Sequence, residues 1–249
     1  MSAQLDVVFL PPTIEPEKLT GRVVVVVDVL RATTTIISAL NCGAECVIPS
    51  PSIKGARQMH ERMGDGTILG GERGGKKVKG FHCGNSPSEY SAAVIKGKSL
   101  ILATTNGTIA MERCRLANEV LIGAFVNLGA IAKHILNETK LTLLCSGTDG
   151  HITSEDILFA GALTELMLSL RADLEIKDAA QISLSHWQST QHKIRNENKQ
   201  LADFMRTARG GKNLVRIGSD EDIVFSSQID TIPIVPVLDV DTWTIRVGG

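Results

Sequence analysis

Residues 23–36 read VVVVVDVLRATTTI, and this stretch decides the class of fold that the sequence predicts. Five consecutive valines form an unbroken β-branched run, which is typical of a strand buried on both faces of a sheet. A polar turn follows, and Ile36, Ile37 and Leu40 then recur at helical spacing. The stretch therefore predicts a buried strand, a short turn and a helix, the beginning of a strand–helix–strand unit.

The same alternation continues along the chain. The predicted strands lie at residues 47–48, 67–69, 100–103, 120–122 and 141–144, and the predicted helices at residues 52–63, 108–115, 126–136 and 154–170. We therefore predict an α/β fold with a largely parallel sheet and helices on both faces, a three-layer α/β/α arrangement that could form two lobes around a cleft. The chain is interpreted as one unit over residues 1–249, and any sub-lobe boundary is placed near residues 140–176.

The region after Ile176 changes character. It is predicted to be helical and polar at first, with a break at Gly210-Gly211. Residues 232–237 and 243–247 are predicted to form extended edge strands, because the prolines in the first of them limit ladder pairing.

Composition excludes several classes of protein. The chain has 249 residues, of which 43% are hydrophobic, and a net charge of -1, so a nucleic-acid partner is not expected. The first residues lack a signal peptide, and no apolar run approaches the roughly 20 residues of a membrane span. The 5 cysteines are an odd number and show no paired metal-binding spacing, which argues against a disulfide framework and a zinc site. We therefore predict a cytoplasmic protein without a membrane or nucleic-acid partner.

Three turns of the predicted sheet have a related character, at residues 23–36, 100–111 and 141–157. Each leaves an apolar strand through small hydroxyl residues or glycine and leads into a helix. Such turns present N–H groups and hydroxyls at the positive end of a helix, which suits an anionic ligand. Ordinary helix capping explains any one of them. Three together, at the carboxyl ends of strands, favour an anion-binding site.

The first turn adds two charged residues. Asp28 ends the valine strand, where a carboxylate is costly unless it reaches a cation or several donors. A magnesium ion would supply that compensation, and the planar fork of Arg31 suits a phosphate or a sulfonate. The alternative is an Asp28–Arg31 ion pair that closes the turn.

Residues 70–90, GGERGGKKVKGFHCGNSPSEY, are the most unusual stretch. Two Gly-Gly pairs flank Glu72 and Arg73, so the backbone can approach a ligand closely and adopt positive φ. These two side chains again offer a carboxylate for a metal and a guanidinium for an oxyanion. Further on, Ser86-Pro87 is interpreted as a helix start. A flexible surface loop is the alternative for the whole stretch.

Two further groups of acidic residues are candidate metal ligands. Asp156 lies three residues after Thr153, so a capping-box variant explains it, and metal binding is the competing interpretation; Glu155 is a weaker candidate. Residues 219–225, SDEDIVF, place three acids before a predicted apolar strand, and Asp222 could complete a metal shell.

Cys145 offers a rival chemistry, because it follows an apolar strand and precedes a turn rich in small residues. Cysteine-based phosphatases use a Cys-x5-Arg loop whose arginine lies beside the thiolate. Here the sixth following residue is His151, and the next arginine is Arg171. Without a nearby cation to lower its pKa, this thiol is predicted not to be a nucleophile.

At these residues the chain resembles a known family. The segments VVVVVDVLRATTTI, LGGERGG, GFHCGNSPSEY, TTNGT, SEDI and SDEDIVFSSQIDTIPIVPVL resemble signature segments of the 2-phosphosulfolactate phosphatase family. The resemblance implies an α/β, magnesium-dependent enzyme that converts 2-phosphosulfolactate to 3-sulfolactate and phosphate, a step of coenzyme M biosynthesis. It spans nearly the whole chain.

The candidate site follows from these matches, with roles assigned on physical grounds. The expected catalytic residues are Asp28, Glu72 and Arg31; the expected substrate-binding residues are Arg31, Arg73, Asn85, Ser86, Thr105, Asn106, Gly107 and Thr108; the expected Mg2+ ligands are Asp28, Glu72, Asp156 and Asp222. The substrate is expected to be a small phosphorylated and sulfonated acid, and a homodimer is one option for the assembly.

Three alternatives stay open. One is an enzyme of the same family that acts on another small phosphorylated acid, and another is a small-anion binding protein without turnover. The third concerns the attacking group, which is either water or a carboxylate such as Asp28. Water is favoured, because Asp28-Val29-Leu30 lacks the Asp-x-Asp spacing of the common aspartate-nucleophile phosphatases.

Overall fold

The computed structural model describes residues 3–197 and 199–248, and these form an eleven-stranded sheet flanked by helices. The strands are β1 (Ala3–Val8), β2 (Val23–Val27), β3 (Cys46–Ser50), β4 (Thr67–Arg73), β5 (Lys76–Lys77), β6 (Ser99–Ala103), β7 (Glu119–Gly123), β8 (Lys140–Cys145), β9 (Leu174–Ile176), β10 (Pro236–Asp239) and β11 (Thr244–Val247). The helices are α1 (Ala32–Asn41), α2 (Ile53–Met63), α3 (Ala92–Ile95), α4 (Asn106–Arg113), α5 (Leu128–His134), α6 (Ser154–Leu170), α7 (Asp178–Glu197), α8 (Leu201–Thr207), α9 (Arg209–Arg216) and α10 (Asp220–Ser226).

Strand β2 is buried on both faces, as its valine run predicts. Successive side chains of a strand point to opposite faces, and the valines divide between two hydrophobic cores accordingly. Val25 belongs to the core that contains Phe159 of α6, whereas Val26 belongs to the core that contains Ile37 of α1. Helices therefore cover both faces of the sheet, and the predicted α/β class is confirmed.

The sheet consists of two parallel blocks joined by an antiparallel hairpin. The strand order is β5-β4-β6-β3-β11-β10-β7-β2-β8-β1-β9. Strands β4, β6 and β3 are parallel to one another, as are β7, β2, β8, β1 and β9. The β10–β11 hairpin lies between β3 and β7 and pairs antiparallel with each.

The predicted edge position of these last two strands is wrong, because they occupy the middle of the sheet. Pro236 is the first residue of β10. A proline at that position leaves the remaining residues of the strand free to pair. Proline content therefore gave a misleading signal about the place of the strand.

The hairpin also sets the relative direction of the two blocks. The three antiparallel pairings between β3 and β7 make one block run opposite to the other along the sheet. In a flat sheet their carboxyl ends would lie at opposite edges. However, a Cβ built on Gly107, after β6, would lie 3.0 Å from Oδ2 of Asp28, after β2. The sheet must therefore bend between the blocks, which brings these carboxyl ends together.

Two local predictions near the end of the sequence are also wrong. Helix α9 runs through Gly210-Gly211, where a break was predicted, and Asp220–Ser226 forms α10 rather than leading into a strand. A Cβ on Gly211 would lie 1.9 Å from the Met205 carbonyl oxygen, so glycine serves close packing of α9 against α8. Three acids in the first turn of α10 favour its helical start. Among the described residues, no helix has the length and apolar character needed to cross a membrane.

Candidate active site

The ends of several strands surround one cleft of about 220 Å³. Residues that follow β2, β6 and β8 line it, together with the β4–β5 hairpin and one side of α9. The predicted site residues that line the cleft are Asp28, Arg31, Glu72, Arg73, Asn85, Thr105 and Asn106. Residues that lie more than seventy positions apart in the sequence, such as Asp28 and Asn106, thus meet at the cleft, as the three-turn pattern predicts.

Asp28 lies at the carboxyl end of β2 and is 6% exposed. The backbone N–H of Ala32 donates to its Oδ1 at 3.3 Å. Burial raises the pKa of Asp28 to about 7, and the negative charges of Glu72 and Glu155 add to the increase. The carboxylate is therefore buried near further negative charge, an environment that a bound cation would relieve.

Gly107 is the second residue of α4 and packs directly against this carboxylate. A Cβ at this position would lie 2.9 Å from the Cβ of Ala32 and 3.0 Å from Oδ2 of Asp28. The first distance is shorter than real side chains show and the second is unusually tight, so α4 approaches α1 this closely only with glycine here. Gly107 does not itself line the cleft, but it packs against the carboxylate of Asp28.

Glu72 lies near the end of β4 and is half-buried. Its Oε2 accepts the Gly75 N–H at 2.7 Å within the β4–β5 hairpin. Gly74 and Gly75 have φ values of 60° and 82°, which confirms that this glycine pair adopts the left-handed region. The hairpin fixes Glu72 on the wall of the cleft, so this part of residues 70–90 is not an irregular surface loop.

Asp28 and Glu72 are the residues that best fit a divalent cation. The negative charge of Glu72 helps to raise the pKa of Asp28, and a cation between the two carboxylates would offset their repulsion. Within residues 3–197 and 199–248, no group of three His, Cys, Asp or Glu side chains is placed to hold a metal ion. Magnesium, however, is commonly held by one or two carboxylates, with waters and substrate phosphate oxygens completing its shell. The pair fits that mode.

Asp156 is bonded to the backbone of two turns. Its Oδ1 accepts the Val29 N–H at 2.9 Å, and its Oδ2 accepts the Gly147 N–H at 3.0 Å. The side chain does not cap its own helix, and Thr153 makes no side-chain cap bond either, so the predicted capping box is wrong. Asp156 instead joins the turn after β2 to the turn after β8 and lies behind the cleft. Metal binding by Asp156 stays a prediction.

Glu155, the neighbouring acid, is almost completely buried. Its Oε2 accepts the Thr153 hydroxyl. Its Oε1 has no hydrogen-bond partner among the described residues. Burial raises the pKa of Glu155, and Gly210 has no room for a Cβ, which would lie 1.9 Å from Oε1. Glu155 thus packs against the N-terminus of α9 behind the wall of the cleft.

Arg31 pairs with Asp222 and not with Asp28, so the predicted alternative of an Asp28–Arg31 pair is wrong. Its Nη1 lies 2.6 Å from Oδ2 of Asp222, and both side chains are 5% exposed. Its Nη2 donates to the Gly75 carbonyl at 2.7 Å, and the Ser86 hydroxyl donates to Oδ1 of Asp222 at 2.5 Å. Both oxygens of Asp222 therefore have partners, and neither Asp222 nor Ser86 lines the cleft.

Arg73 and Asn85 contribute polar groups to the cleft. Arg73 is exposed, and its Nη1 donates to the Thr105 hydroxyl at 3.2 Å. Asn85 is 6% exposed, and its Oδ1 has no hydrogen-bond partner among the described residues. A buried amide oxygen without a partner at a cleft wall is available to a ligand. The helix start predicted after Ser86 is a single 3-10 turn, Pro87–Glu89.

The second turn meets the third across the cleft. Asn106 accepts the Asp149 N–H on its Oδ1 at 3.3 Å. Thr108, predicted as a substrate-binding residue, is 1% exposed, and its hydroxyl lies 3.1 Å from that of Thr104. Thr108 therefore supports Thr104, which does line the cleft.

Sequence reasoning missed one wall of the cleft. Asp149 lines it with a φ of 53°, and Asn213 and Arg216 line it from α9. The positive φ at Asp149 has a sequence signal, since Asp-Gly is a turn dipeptide. The side chains of α9 that line the cleft had no such signal in the sequence, because Gly210 and Gly211 suggested a break in the helix.

Cys145 does not reach the cleft. It is the last residue of β8 and is 1% exposed. Burial, with the negative charges of Asp156 and Glu155, raises the pKa of its thiol well above the ordinary value. This environment disfavours a thiolate, in agreement with the prediction that Cys145 is not a nucleophile.

An α/β sheet whose strand ends place acidic and arginine side chains around one small cleft defines the class of protein: an α/β protein with a binding site for a small anionic ligand. The particular family follows from comparison with known proteins. The family model described as 2-phosphosulpholactate phosphatase matches residues 8–241. The chain belongs to this family.

Curated relatives agree with this assignment. A protein of Symbiobacterium thermophilum, named probable 2-phosphosulfolactate phosphatase, is 38% identical over 230 residues, which cover 92% of this chain and 94% of the relative. A protein of the same name from Pseudothermotoga lettingae is 37% identical over 96% of this chain and 97% of its own. One from Clostridium novyi is 35% identical over 94% and 96%. In each case the similarity therefore covers more than nine tenths of this chain.

Proposed function

We propose that this protein hydrolyses the phosphate monoester of 2-phosphosulfolactate with the help of Mg2+, giving 3-sulfolactate and inorganic phosphate, the type of step used in coenzyme M biosynthesis. The observation that carries the chemistry is the pair of carboxylates, Asp28 and Glu72, on the wall of a cleft that also contains arginines. The family and the names of its relatives support the substrate.

In this proposal Asp28 and Glu72 hold the cation. A magnesium ion at such a site neutralises phosphate charge and polarises the phosphoryl oxygens. Asp28 is well suited to the role because the Ala32 N–H and the close packing of Gly107 fix its orientation. Glu72 is fixed in the same way by Gly75.

The phosphate group contacts the second turn and Arg73. One guanidinium nitrogen of Arg73 donates to the Thr105 hydroxyl, and the other N–H groups of the guanidinium are available to donate to phosphate oxygens. The amide of Asn85 supplies a further polar contact from a buried position. Phosphoryl transfer depends mainly on positioning and charge stabilisation, so these groups suffice for the reaction.

Arg31 contributes to the site through the residues that it holds in place. Its charge is paired with Asp222, and it also holds the Gly75 carbonyl, so it fixes the hairpin that carries Glu72. We therefore propose Arg31 as a positioning residue, with its remaining surface on the cleft wall.

Water is the proposed attacking group. An aspartate-nucleophile enzyme carries a second acid two residues after the nucleophile, and here that position is Leu30, which lines the cleft. An apolar side chain at this place cannot donate a proton to a leaving group. When water attacks, its oxygen forms the new bond to phosphorus, the ester P–O bond breaks, and a proton of the water passes to the departing alkoxide oxygen, so this route needs no acid at position 30.

Measurement of phosphate release tests the proposal. The wild-type protein is incubated with 2-phosphosulfolactate, 2-phospholactate, phosphoglycolate and p-nitrophenyl phosphate, each with Mg2+ or with excess EDTA. We expect the highest kcat/KM with 2-phosphosulfolactate, loss of turnover with EDTA, and recovery with added Mg2+. Tight binding of these compounds without any phosphate release would instead favour an anion-binding protein, and a preference for another ester would favour another small phosphorylated acid.

A further inference from the structure

Three arginines line the cleft, and their charges are used differently. Arg31 is buried and paired with Asp222. Arg73 lies beside Glu72 on the β4–β5 hairpin and contacts Thr105. Arg216 lies on α9, on the wall that the other two do not occupy. Within the described part of the chain, Arg216 forms no ion pair, and its Nη2 donates to Oδ1 of Asn213 at 3.2 Å.

Helix α9 presents one side to the cleft. Gly210, Asn213 and Leu214 recur at helical spacing and all line it, and Arg216 lies at the end of the same helix. The wall therefore carries a guanidinium and an amide next to one apolar side chain. Such a combination binds a sulfonate or a carboxylate through charge-assisted hydrogen bonds.

The packing of α9 fixes this wall in place. Gly210 lies against Glu155, and Gly211 lies against the Met205 carbonyl, in both cases with no room for a Cβ. At the other end of the helix, a Cβ on Gly75 would lie 2.8 Å from Cδ1 of Ile217. The helix thus packs against α8, against the N-terminal turn of α6 and against the hairpin that carries Glu72.

The cleft is small. A volume of about 220 Å³ is below the range of roughly 300–1,000 Å³ typical of pockets for drug-sized ligands. A ligand that places one anionic group near Asp28, Glu72 and Arg73 therefore has the remainder of its length directed toward the nearby α9 wall.

We propose that Arg216, with Asn213 beside it, binds an acidic group of the substrate other than the phosphate, a sulfonate or a carboxylate, and so selects phosphate esters that carry another strong anion. This inference rests on the proposed function in placing the phosphate at the opposite wall. It makes Arg216 a specificity residue, in contact with the part of the substrate that does not react.

A matched pair of variants tests the assignment. Arg216→Met removes the guanidinium and retains the apolar length, while Lys212→Met removes a positive charge from an exposed position of the same helix that does not line the cleft. KM and kcat are measured with 2-phosphosulfolactate and with p-nitrophenyl phosphate, which lacks a second acid. The dissociation constant of 3-sulfolactate, which lacks the phosphate, is measured by calorimetry.

We expect Arg216→Met to raise the KM for 2-phosphosulfolactate and the dissociation constant of 3-sulfolactate by roughly tenfold to a hundredfold, the usual effect of losing one charge-assisted contact. The loss with p-nitrophenyl phosphate should be several times smaller. Lys212→Met should match the wild type in every measurement. Arg216→Lys should restore only part of the affinity, since an ammonium lacks the planar fork.

Equal losses on both esters, or the same 3-sulfolactate affinity in Arg216→Met and Lys212→Met, would overturn the inference while leaving hydrolysis intact. A wild-type protein that does not bind 3-sulfolactate would overturn it as well. Conversely, binding of 3-sulfolactate that depends on Arg216, in a protein that hydrolyses none of the esters, would support the second-anion site and refute the proposed hydrolysis.

Discussion

Arg31 and Asp222 are 191 residues apart in the sequence and form a buried ion pair, with Nη1 of one 2.6 Å from Oδ2 of the other. The pair connects the turn after β2 to α10. Through the second nitrogen of Arg31 it also reaches the Gly75 carbonyl, and through the second oxygen of Asp222 the Ser86 hydroxyl. One ion pair and its two further hydrogen bonds therefore join four segments around the cleft: the turn after β2, the β4–β5 hairpin, the segment at Ser86 and α10.

Asp222→Asn should destabilise the fold strongly, because it leaves the buried guanidinium of Arg31 without its counter-ion. Breaking a buried pair from one side typically costs about 3–5 kcal/mol, and we expect a loss of this size in the free energy of unfolding, measured by urea titration. Asp220→Asn is the control, since Asp220 lies on the same helix as Asp222 and its ion pair, with Arg206 of α8, is partly exposed to solvent. Its loss should be much smaller. Equal effects of the two substitutions would contradict the structural importance of the buried pair.

Asp28→Asn and Glu72→Gln should each abolish Mg2+-dependent phosphate release and weaken Mg2+ binding in calorimetry. Mutation of a residue that is only hydrogen-bonded to a metal-binding side chain typically lowers metal affinity about 10–100-fold. Mutation of the metal-binding side chain itself should therefore lower the Mg2+ affinity by roughly tenfold or more. Asp28→Asn should still fold, because burial disfavours the charge that it removes. Its melting temperature without metal should equal or exceed that of the wild type.

Asp156→Asn is the matched control for this metal prediction. Both Asp156 oxygens accept backbone N–H groups, so the substitution should lower stability and leave the Mg2+ affinity nearly unchanged. A loss of Mg2+ affinity as large as that of Asp28→Asn would identify Asp156 as a Mg2+ ligand, as predicted from the sequence. An unfolded Asp28→Asn protein would mean that the carboxylate is structural.

Gly107→Ala should reduce activity and stability together. Its methyl group would overlap Ala32 and press on the carboxylate of Asp28, and overpacking of this kind typically costs about 1–3 kcal/mol. Gly66→Ala is the control, because a Cβ there meets nothing within 4 Å. Chemical denaturation and kcat/KM measure the two effects. Wild-type values for Gly107→Ala would show that α4 can move away from Asp28 at no cost.

Cys145 should resist alkylation, since its thiol is buried and its pKa is raised well above the ordinary value. We expect iodoacetamide at pH 8 to label Cys42, which is only partly buried, before Cys145 in peptide mass spectrometry. Cys145→Ser should retain most activity. A folded Cys145→Ser protein with normal Mg2+ affinity and no turnover would support a covalent phosphocysteine route instead.

Much of the fold could be predicted because its signals are local. The valine run gave β2 with its observed bounds, and the apolar pattern before and after Phe159 gave α6 over residues 154–170, as found. The carboxylates and arginines of the glycine-rich turns were identified for the same reason. Three strands, β1, β5 and β9, were not predicted from the pattern.

The remaining features depend on contacts between distant residues. A Gly-Gly pair can end a helix or allow close packing within one, and only the Met205 carbonyl and Glu155 decide between these at residues 210 and 211. The partner of Arg31 lies on another helix, and local spacing pointed to Asp28 instead. The central position of the β10–β11 hairpin likewise depends on pairing with strands that precede it by more than a hundred residues.

The position of that hairpin has a consequence for biosynthesis. Residues 236–247 are translated after all of the strands that they join, so β3 and β7 leave the ribosome without the neighbours that separate them in the finished sheet. Until the hairpin arrives, each parallel block carries an open edge, and open edges are templates for pairing with other chains. The nascent protein is therefore prone to pairing with other chains between the synthesis of β7 and that of the hairpin, and the speed of translation sets the length of this interval. A chaperone that shields β3 and β7 would have its greatest effect during it.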